Sequence, residues 1–317
     1  MIWREASTVE TSMNKNILII GSSGLVGSQS SHYLSNRGFN VIGVSRNNSK
    51  IRNDISFIHC DYSTLEVSNL QSLNLNHVIF SAGDTTQFMQ YEKSNSNLRR
   101  EKLKFENFLK VVGQLPTLKT FIFMSSAGAL YDSNQIVNEK SKLNICTDYA
   151  ELKFDFENLL VESARQSGFI SQILRVTNLY GSTISKDIRG GFINELINSA
   201  LRKNPFTLSD NFREINKNFL FIDDLLLVLE FLLNERVPQN YLVNIANENS
   251  LSLDKVLEIS LKVLADHRLK PEINVKNMNY NGNTNHEFDL KFLKELIPEY
   301  KNTPLEQGLI KTLKSLI

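Results

Sequence analysis

Three things are scarce in this sequence, and each scarcity removes a class of protein. Only Cys60 and Cys146 occur among 317 residues, too few for a disulfide framework and without the spacing of a metal site. A reduced, cytosolic setting is the expectation. No apolar run approaches the roughly 20 residues that a membrane-crossing helix needs, and the first dozen residues carry Arg4, Glu5 and Glu10 where a secretory signal would be apolar. Residues 1–12 read as a loose leader, with the fold beginning near Met13. Excess charge is the third absence: 35 basic against 34 acidic residues leave +1. Such a balance creates no field suited to gathering nucleic acid or an anionic membrane, so neither is expected as a partner.

What is present is a nucleotide-binding pattern. Asn16-Ile17-Leu18-Ile19-Ile20 is a short continuous apolar run, as in a parallel strand covered on both faces. It leads into Gly21-Ser22-Ser23-Gly24-Leu25-Val26-Gly27 and then a helical pattern that stops at Gly38. Gly21 permits the tight bend, Gly24 lets backbone approach a pyrophosphate, and Gly27 lets the helix close on the strand. Amides at the helix N-terminus, from Ser23 through Val26, then face the phosphates. A second strand, Asn40–Ser45, ends at Arg46, about twenty residues after the glycine turn. An acidic side chain there accepts from a ribose 2′-hydroxyl, whereas an arginine pairs with a 2′-phosphate. Arg46 therefore tilts the cofactor towards NADP, with NAD as the alternative.

Further strands follow at Ile55–Cys60, Asn76–Phe80 and Thr120–Met124. The first ends at Asp61-Tyr62, where an adenine ring is expected. The second ends at Ser81-Ala82-Gly83, small residues that let a cofactor ribose lie against the backbone. Between the second and third lies a polar helix with Phe105, Phe108, Leu109 and Val112 inward, ended by Gly113 and Pro116. The third runs into Ser125-Ser126, whose hydroxyls are expected in a cleft at the strand's carboxyl end. The next helix carries Tyr149 and Lys153 four residues apart, stacked on one face. A phenol with its ordinary pKa near 10 is a poor proton-transfer group unless a cation stabilises its anion, and Lys153 is placed to be that cation.

The glycine turn, the Ser125-Ser126 strand end, Tyr149-x-x-x-Lys153 and Leu174-Arg175-Val176-Thr177-Asn178-Leu179-Tyr180-Gly181 occur in that order. Together they resemble the extended short-chain dehydrogenase/reductases, specifically the NAD-dependent epimerase/dehydratase family acting on nucleotide sugars. Phe219–Asp224, Tyr241–Ala246 and Thr303–Gly308 continue the likeness almost to the end of the chain. The resemblance implies an α/β fold, a Rossmann-type doubly wound parallel sheet, over residues 13–180 with 219–246 returning to it. It implies a smaller substrate domain from 181–218 and 247–317. In that scheme Tyr149 exchanges a proton with a sugar hydroxyl or ketone, Lys153 lowers the tyrosine pKa and holds the nicotinamide ribose, and Ser126 stands beside the reacting oxygen, with Ser125 as a substitute. Asn178, Arg189, Arg213 and Lys217 are the expected substrate contacts, the basic ones for a diphosphate. A homodimer is compatible with the likeness.

Departures from the family's pattern narrow the reaction. Where dehydratases carry an Asp-Glu pair after the serine, this sequence has Ala127, Gly128 and Ala129, which cannot move a proton. No cysteine lies beside Ser126, and His32, His59, His77, His267 and His286 fall outside the segments that line the sugar in this family. Hydride transfer at one carbinol remains: reduction of a 4-keto (or 4-keto-6-deoxy) nucleotide sugar by NADPH, or 4-epimerisation with tightly held NAD. Arg46 favours the reduction.

Overall fold

The computed structural model describes residues 15–46, 55–83, 95–132, 135–181, 190–234, 240–277 and 286–317. Its centre is a parallel sheet of seven strands. In chain order these are β1 (Asn16–Ile20), β2 (Asn40–Ser45), β3 (Ser56–His59), β4 (His77–Phe80), β5 (Thr120–Ser126), β6 (Ile170–Val176) and β7 (Tyr241–Ile245). Across the sheet they lie in the order β7-β6-β5-β4-β1-β2-β3, every neighbouring pair parallel. The order reverses at β1, whose carboxyl end therefore opens onto the crevice where such sheets bind ligands. This is the Rossmann-type architecture the glycine turn and strand pattern imply. β1 reads as a pure apolar run because both faces are covered: Ile17, Leu18, Ile19 and Ile20 are all at most 1% exposed.

The helices that matter for the crevice are α1 (Leu25–Asn36), α2 (Asn95–Val112) and α3 (Asp148–Ser167). α2 and α3 pack side by side under β4 and β5 through an aromatic cluster. Phe105 of α2 stacks on Phe156 of α3 at 4.1 Å with planes 10° apart, and Phe80 meets Phe105 edge-on at 4.8 Å. Such pairs add roughly 0.5–1.5 kcal/mol beyond their buried area. An ion pair from Lys102 to Asp155 at 2.8 Å ties the same two helices at the surface. The expected inward face of α2 is confirmed, with Phe105, Phe108, Leu109 and Val112 at most 2% exposed.

α3 begins where Thr147 accepts a hydrogen bond from the Ala150 amide at 3.1 Å, has Asp148 and Glu151 in its first turn, and ends at Gly168 with φ +81°. Each feature is a helix-boundary signal with a physical cause: a satisfied N–H, a favourable dipole and a left-handed stop. They fix Tyr149 in the first turn.

Outside the central sheet, the described residues form short strand pairs. Asn178–Tyr180 pairs with Phe219–Phe221, Pro205–Ser209 with Glu272–Lys276, Asn216–Lys217 with Leu251–Ser252, and Gln135–Val137 with His286–Phe288. Helices α4 (Phe192–Arg202), α5 (Ile222–Asn234), α6 (Leu253–Asp266) and α7 (Leu305–Leu316) cover them. No helix among the described residues is long and apolar enough to cross a membrane.

Candidate active site

The glycine turn is built as a cradle. Gly21 has φ +84°, and a Cβ there would stand 2.8 Å from the Ala82 backbone nitrogen. A Cβ on Gly27 would stand only 2.2 Å from the Gly21 carbonyl oxygen. Both positions therefore need glycine, one for its dihedral and for β4's close approach, the other for helix contact. Gly24 caps α1 with no side-chain hydrogen bond and no acidic residue in the first turn. First-turn amides of a helix lack intrahelical partners, so this end is free to receive an anion.

One cleft gathers Gly21, Ser23, Gly24, Arg46, Asp61, Tyr62, Ser81, Ala82 and Gly83, with Ser45 and Glu101. Nine of these lining residues are the cofactor residues expected from the sequence. Leu25, Val26 and Gly27 are in the first turn of α1 rather than in the cleft wall. These residues fit a dinucleotide: a cradle that a Cβ would fill, an unblocked helix N-terminus, and small residues at the end of β4.

The adenosine end of the cleft carries charge. Asp61 accepts from the Ser63 amide at 3.0 Å and hydroxyl at 2.8 Å, and from Lys104 Nζ at 2.7 Å. Burial pushes its carboxyl up, but these hydrogen bonds outweigh that and hold it at about 2. Arg46 reaches Asp61 at 4.0 Å, with 60% of its side chain exposed. At the end of β2 the Ser45 hydroxyl lies 2.6 Å from that of Ser23, so no acidic side chain occupies that strand end.

At the carboxyl end of β5, which runs two residues further than its apolar core to include both serines, the Ser126 hydroxyl is near enough to the Tyr149 phenol to pull its pKa down. Lys153 Nζ donates to the Met124 carbonyl at 2.8 Å and sits 5.6 Å from the Tyr149 ring centroid and 4.9 Å from that of Phe123. Burial pushes the Lys153 ammonium down to about 8, while Glu101 and Glu157 pull the other way. The expectation that Lys153 lowers the tyrosine is corrected here. Burial holds the Tyr149 phenol above its ordinary value, opposed only by the nearby Ser126 hydroxyl. Lys153 lies against the ring and points its charge at a carbonyl. The phenol is consequently protonated at neutral pH.

Ser125 is also corrected. Alternation along a strand sends adjacent side chains to opposite faces, and Ser125 is buried with its hydroxyl donating to Glu157 at 2.5 Å. Arg175 holds the same carboxylate through Nε at 2.9 Å and Nη2 at 2.6 Å, and donates to the Tyr131 hydroxyl at 2.9 Å. Tyr131 in turn donates to Asn244 at 2.9 Å. This buried network braces β5, α3, β6 and β7 behind the candidate site. Ser125 belongs to the brace, which leaves Ser126 as the hydroxyl beside Tyr149.

The expected substrate contacts are dispersed. Asn178 donates to the Asn218 carbonyl at 2.8 Å. Arg213 is exposed, lies over the Phe212 ring at 4.8 Å and faces Asp254 at 3.4 Å, so the diphosphate role expected of it is not set up in this conformation. Lys217 is half-buried in its short strand. Arg189 lies outside the described residues. Ala127, Gly128 and Ala129 form one short helix with Leu130, and a Cβ on Gly128 would meet nothing within 4 Å. Among the described residues, no group of three or more His, Cys, Asp or Glu could hold a metal ion.

Glu101, which lines the cleft, was missed by sequence reasoning, as was the close packing at Gly43, and both left a signal. Glu101 shares the stripe of Phe105, Phe108 and Val112, an acid on an otherwise apolar face. Gly43 lies inside β2, where a Cβ would meet the Ser22 hydroxyl at 2.8 Å; glycine within a strand marks such close approach.

Sheet order and glycine cradle define a Rossmann-type α/β protein with a cleft suited to a dinucleotide. Residues 17–246 match the NAD dependent epimerase/dehydratase family, and the chain belongs to that family. No curated protein matches the sequence. Among solved structures it is similar to MoeE5 in complex with UDP-glucuronic acid and NAD, at 20% identity and a TM-score of 0.83, covering 95% of this chain and 98% of that one. UDP-glucose 4-epimerase of Thermotoga maritima with UDP-glucose aligns at 19% identity and 0.82, over 95% and 98%. TunA, an NAD dependent NDP-hexosamine 5,6-dehydratase of tunicamycin biosynthesis, aligns at 20% identity and 0.81, over 95% and 97%. At these identities the likeness is one of fold.

Proposed function

We propose that this protein is a nucleotide-sugar oxidoreductase, a 4-ketoreductase that takes a 4-keto or 4-keto-6-deoxy nucleotide sugar and NADPH. The observation that carries the reading is the buried Tyr149 phenol, held protonated, with the Ser126 hydroxyl acting on it and Lys153 against its ring, in a fold that also carries a dinucleotide cleft. A bound nicotinamide cofactor would supply the hydride. The protein's own part is to polarise the ketone with the two hydroxyls and to deliver one proton from Tyr149 to the developing alkoxide oxygen. Lys153, lying against the tyrosine ring, would hold the nicotinamide ribose. Arg46, exposed at the end of β2 beside an Asp61 already held by Lys104, supports a 2′-phosphate on the cofactor.

A second reading is 4-epimerisation with resident NAD, supported by the fold-level neighbours solved with NAD and UDP-sugars. The two differ in what the purified protein carries. Denaturing it and identifying the released nucleotide separates them: stoichiometric NAD supports the epimerase, and an empty site that binds NADPH supports the reductase. Loss of NADPH absorbance on adding 4-keto-6-deoxy sugar nucleotides is the expected turnover, and a silent trace with the whole set would overturn the reduction.

A further inference from the structure

Val44 and Ser45 end β2 and Arg46 follows, and each of the three is fastened to a neighbouring element. The Val44 carbonyl accepts from the Gly21 and Ser22 amides at 2.9 and 3.1 Å. The Ser45 hydroxyl lies 2.6 Å from that of Ser23. Both contacts hold the strand end against the glycine turn. Arg46 is held from the opposite side, where the His59 ring donates through Nε2 to its backbone carbonyl at 2.6 Å. A carbonyl oxygen only accepts, so it is Nε2 that carries the hydrogen.

The register of the sheet explains why a side chain makes this bond. β2 and β3 run in parallel register from Ile42 opposite Ser56 to Ser45 opposite His59, and both strands end there. The Arg46 carbonyl stands one residue past the paired strands, and the last side chain of β3 reaches across to it. His59 is exposed, its ring 6.3 Å from that of Phe57 on the same strand, and it lies outside the cleft wall that Arg46, Asp61 and Tyr62 line. Anything it does for the nucleotide passes through Arg46.

We propose that His59 is a positioning residue for the choice of cofactor: by holding the Arg46 backbone at the end of β2, it aims the guanidinium at a 2′-phosphate. The proposal rests on the reading of Arg46 given above and adds a residue that does not touch the nucleotide. An arginine loses much rotamer freedom when it closes on a phosphate, and a fixed backbone reduces the ordering that the contact must offset. Without the anchor that cost falls on NADPH alone, since NADH has no 2′-phosphate for Arg46 to meet.

The test is a fluorescence titration of the purified full chain with NADPH and with NADH, for wild type, Arg46→Ala, His59→Phe, His59→Gln and the double variant Arg46→Ala with His59→Phe. Phenylalanine keeps a ring and loses the donor, whereas the glutamine carboxamide places an N–H at about the reach of Nε2. Loss of the bond in His59→Phe should weaken NADPH roughly three- to tenfold and leave NADH within about twofold. His59→Gln should restore most of the NADPH affinity. In the Arg46→Ala background His59→Phe should change nothing further, because no guanidinium remains to be aimed. Circular dichroism checks folding, and His59→Ala repeats the comparison if the phenylalanine variant misfolds. A wild type without a preference for NADPH, or a preference that survives Arg46→Ala, sinks the reading of Arg46 and this proposal with it. A preference that Arg46→Ala removes, but that His59→Phe leaves intact or weakens as strongly in the double variant as alone, overturns the role of His59 only. Equal weakening of both nucleotides by His59→Phe does the same, since it marks a merely structural bond.

Discussion

Arg175 and Glu157 form a bidentate ion pair, 2.9 and 2.6 Å, with each side chain only 4% exposed. The pair joins β6 to α3 directly behind Ser126, and it holds Ser125 and Tyr131 as well. Burial opposes the Arg175 charge, yet its pKa is raised because Glu157 more than compensates. Arg175→Met would strand a buried carboxylate. Breaking such a pair costs about 3–5 kcal/mol, whereas replacing both partners with apolar groups of similar volume is far milder. Urea denaturation should therefore show a large loss for Arg175→Met and a smaller one for Arg175→Met combined with Glu157→Leu. A loss below about 1 kcal/mol for the single substitution, the level of an exposed pair, would mean that the brace contributes little.

Tyr149→Phe removes one oxygen and keeps the ring that packs against Lys153. Turnover of the correct sugar nucleotide should drop by about 10²- to 10⁴-fold, the usual contribution of a positioned proton-transfer group. Cofactor affinity, measured by calorimetry, should stay within about threefold, because the phenol is not part of the nucleotide cradle. Retained turnover would remove Tyr149 from the mechanism.

Much of this was legible in the sequence because the relevant signals are local. A continuous apolar run before Gly21 marks a doubly covered strand, and the stripe Phe105, Phe108, Leu109, Val112 marks one buried face of a helix. Tyr149 and Lys153 share a helix face by spacing, and the ordered motifs around them singled the pair out. Other features depend on contacts across the chain. Ser125 and Ser126 are equivalent as letters, and only the strand's facing and the arrival of Glu157 and Arg175 separate them. The rise of the Tyr149 pKa follows from burial, which no motif records. The short pairing of Pro205–Ser209 with Glu272–Lys276 joins distant segments with no local pattern of their own.

His77 predicts how stability responds to acid. It lies at the start of β4, is 7% exposed, and its Nδ1 has no hydrogen-bond partner. Burial, with Lys15 and Lys119 adding repulsion, pushes its pKa from 6.5 down to about 4. The folded state therefore refuses a proton that the unfolded chain accepts. Stability from this group is complete above about 6.5 and is lost as pH falls towards 4, in total on the order of 3 kcal/mol. His77→Gln should flatten the fall in urea midpoint across that window. An unchanged slope would place the acid sensitivity elsewhere.

Arg46 is where the choice of cofactor should be decided. Its guanidinium is 60% exposed and stands 4.0 Å from Asp61 Oδ2, the oxygen that Lys104 holds at 2.7 Å. Lys104 thus neutralises Asp61, and a 2′-phosphate arriving at the lip would meet Arg46 without an unbalanced anion behind it. A charge-assisted hydrogen bond contributes about 1.5–3 kcal/mol, so Arg46→Ala should weaken NADPH by roughly ten- to a hundredfold and leave NADH nearly unchanged. Because the site is exposed, the NADPH advantage should shrink in high salt in the wild type and be insensitive to salt in the variant. Binding titrations of both nucleotides at two ionic strengths measure this directly. Equal weakening of NADPH and NADH would show that Arg46 supports the loop and reads no phosphate, and the epimerase with resident NAD would then be the better account.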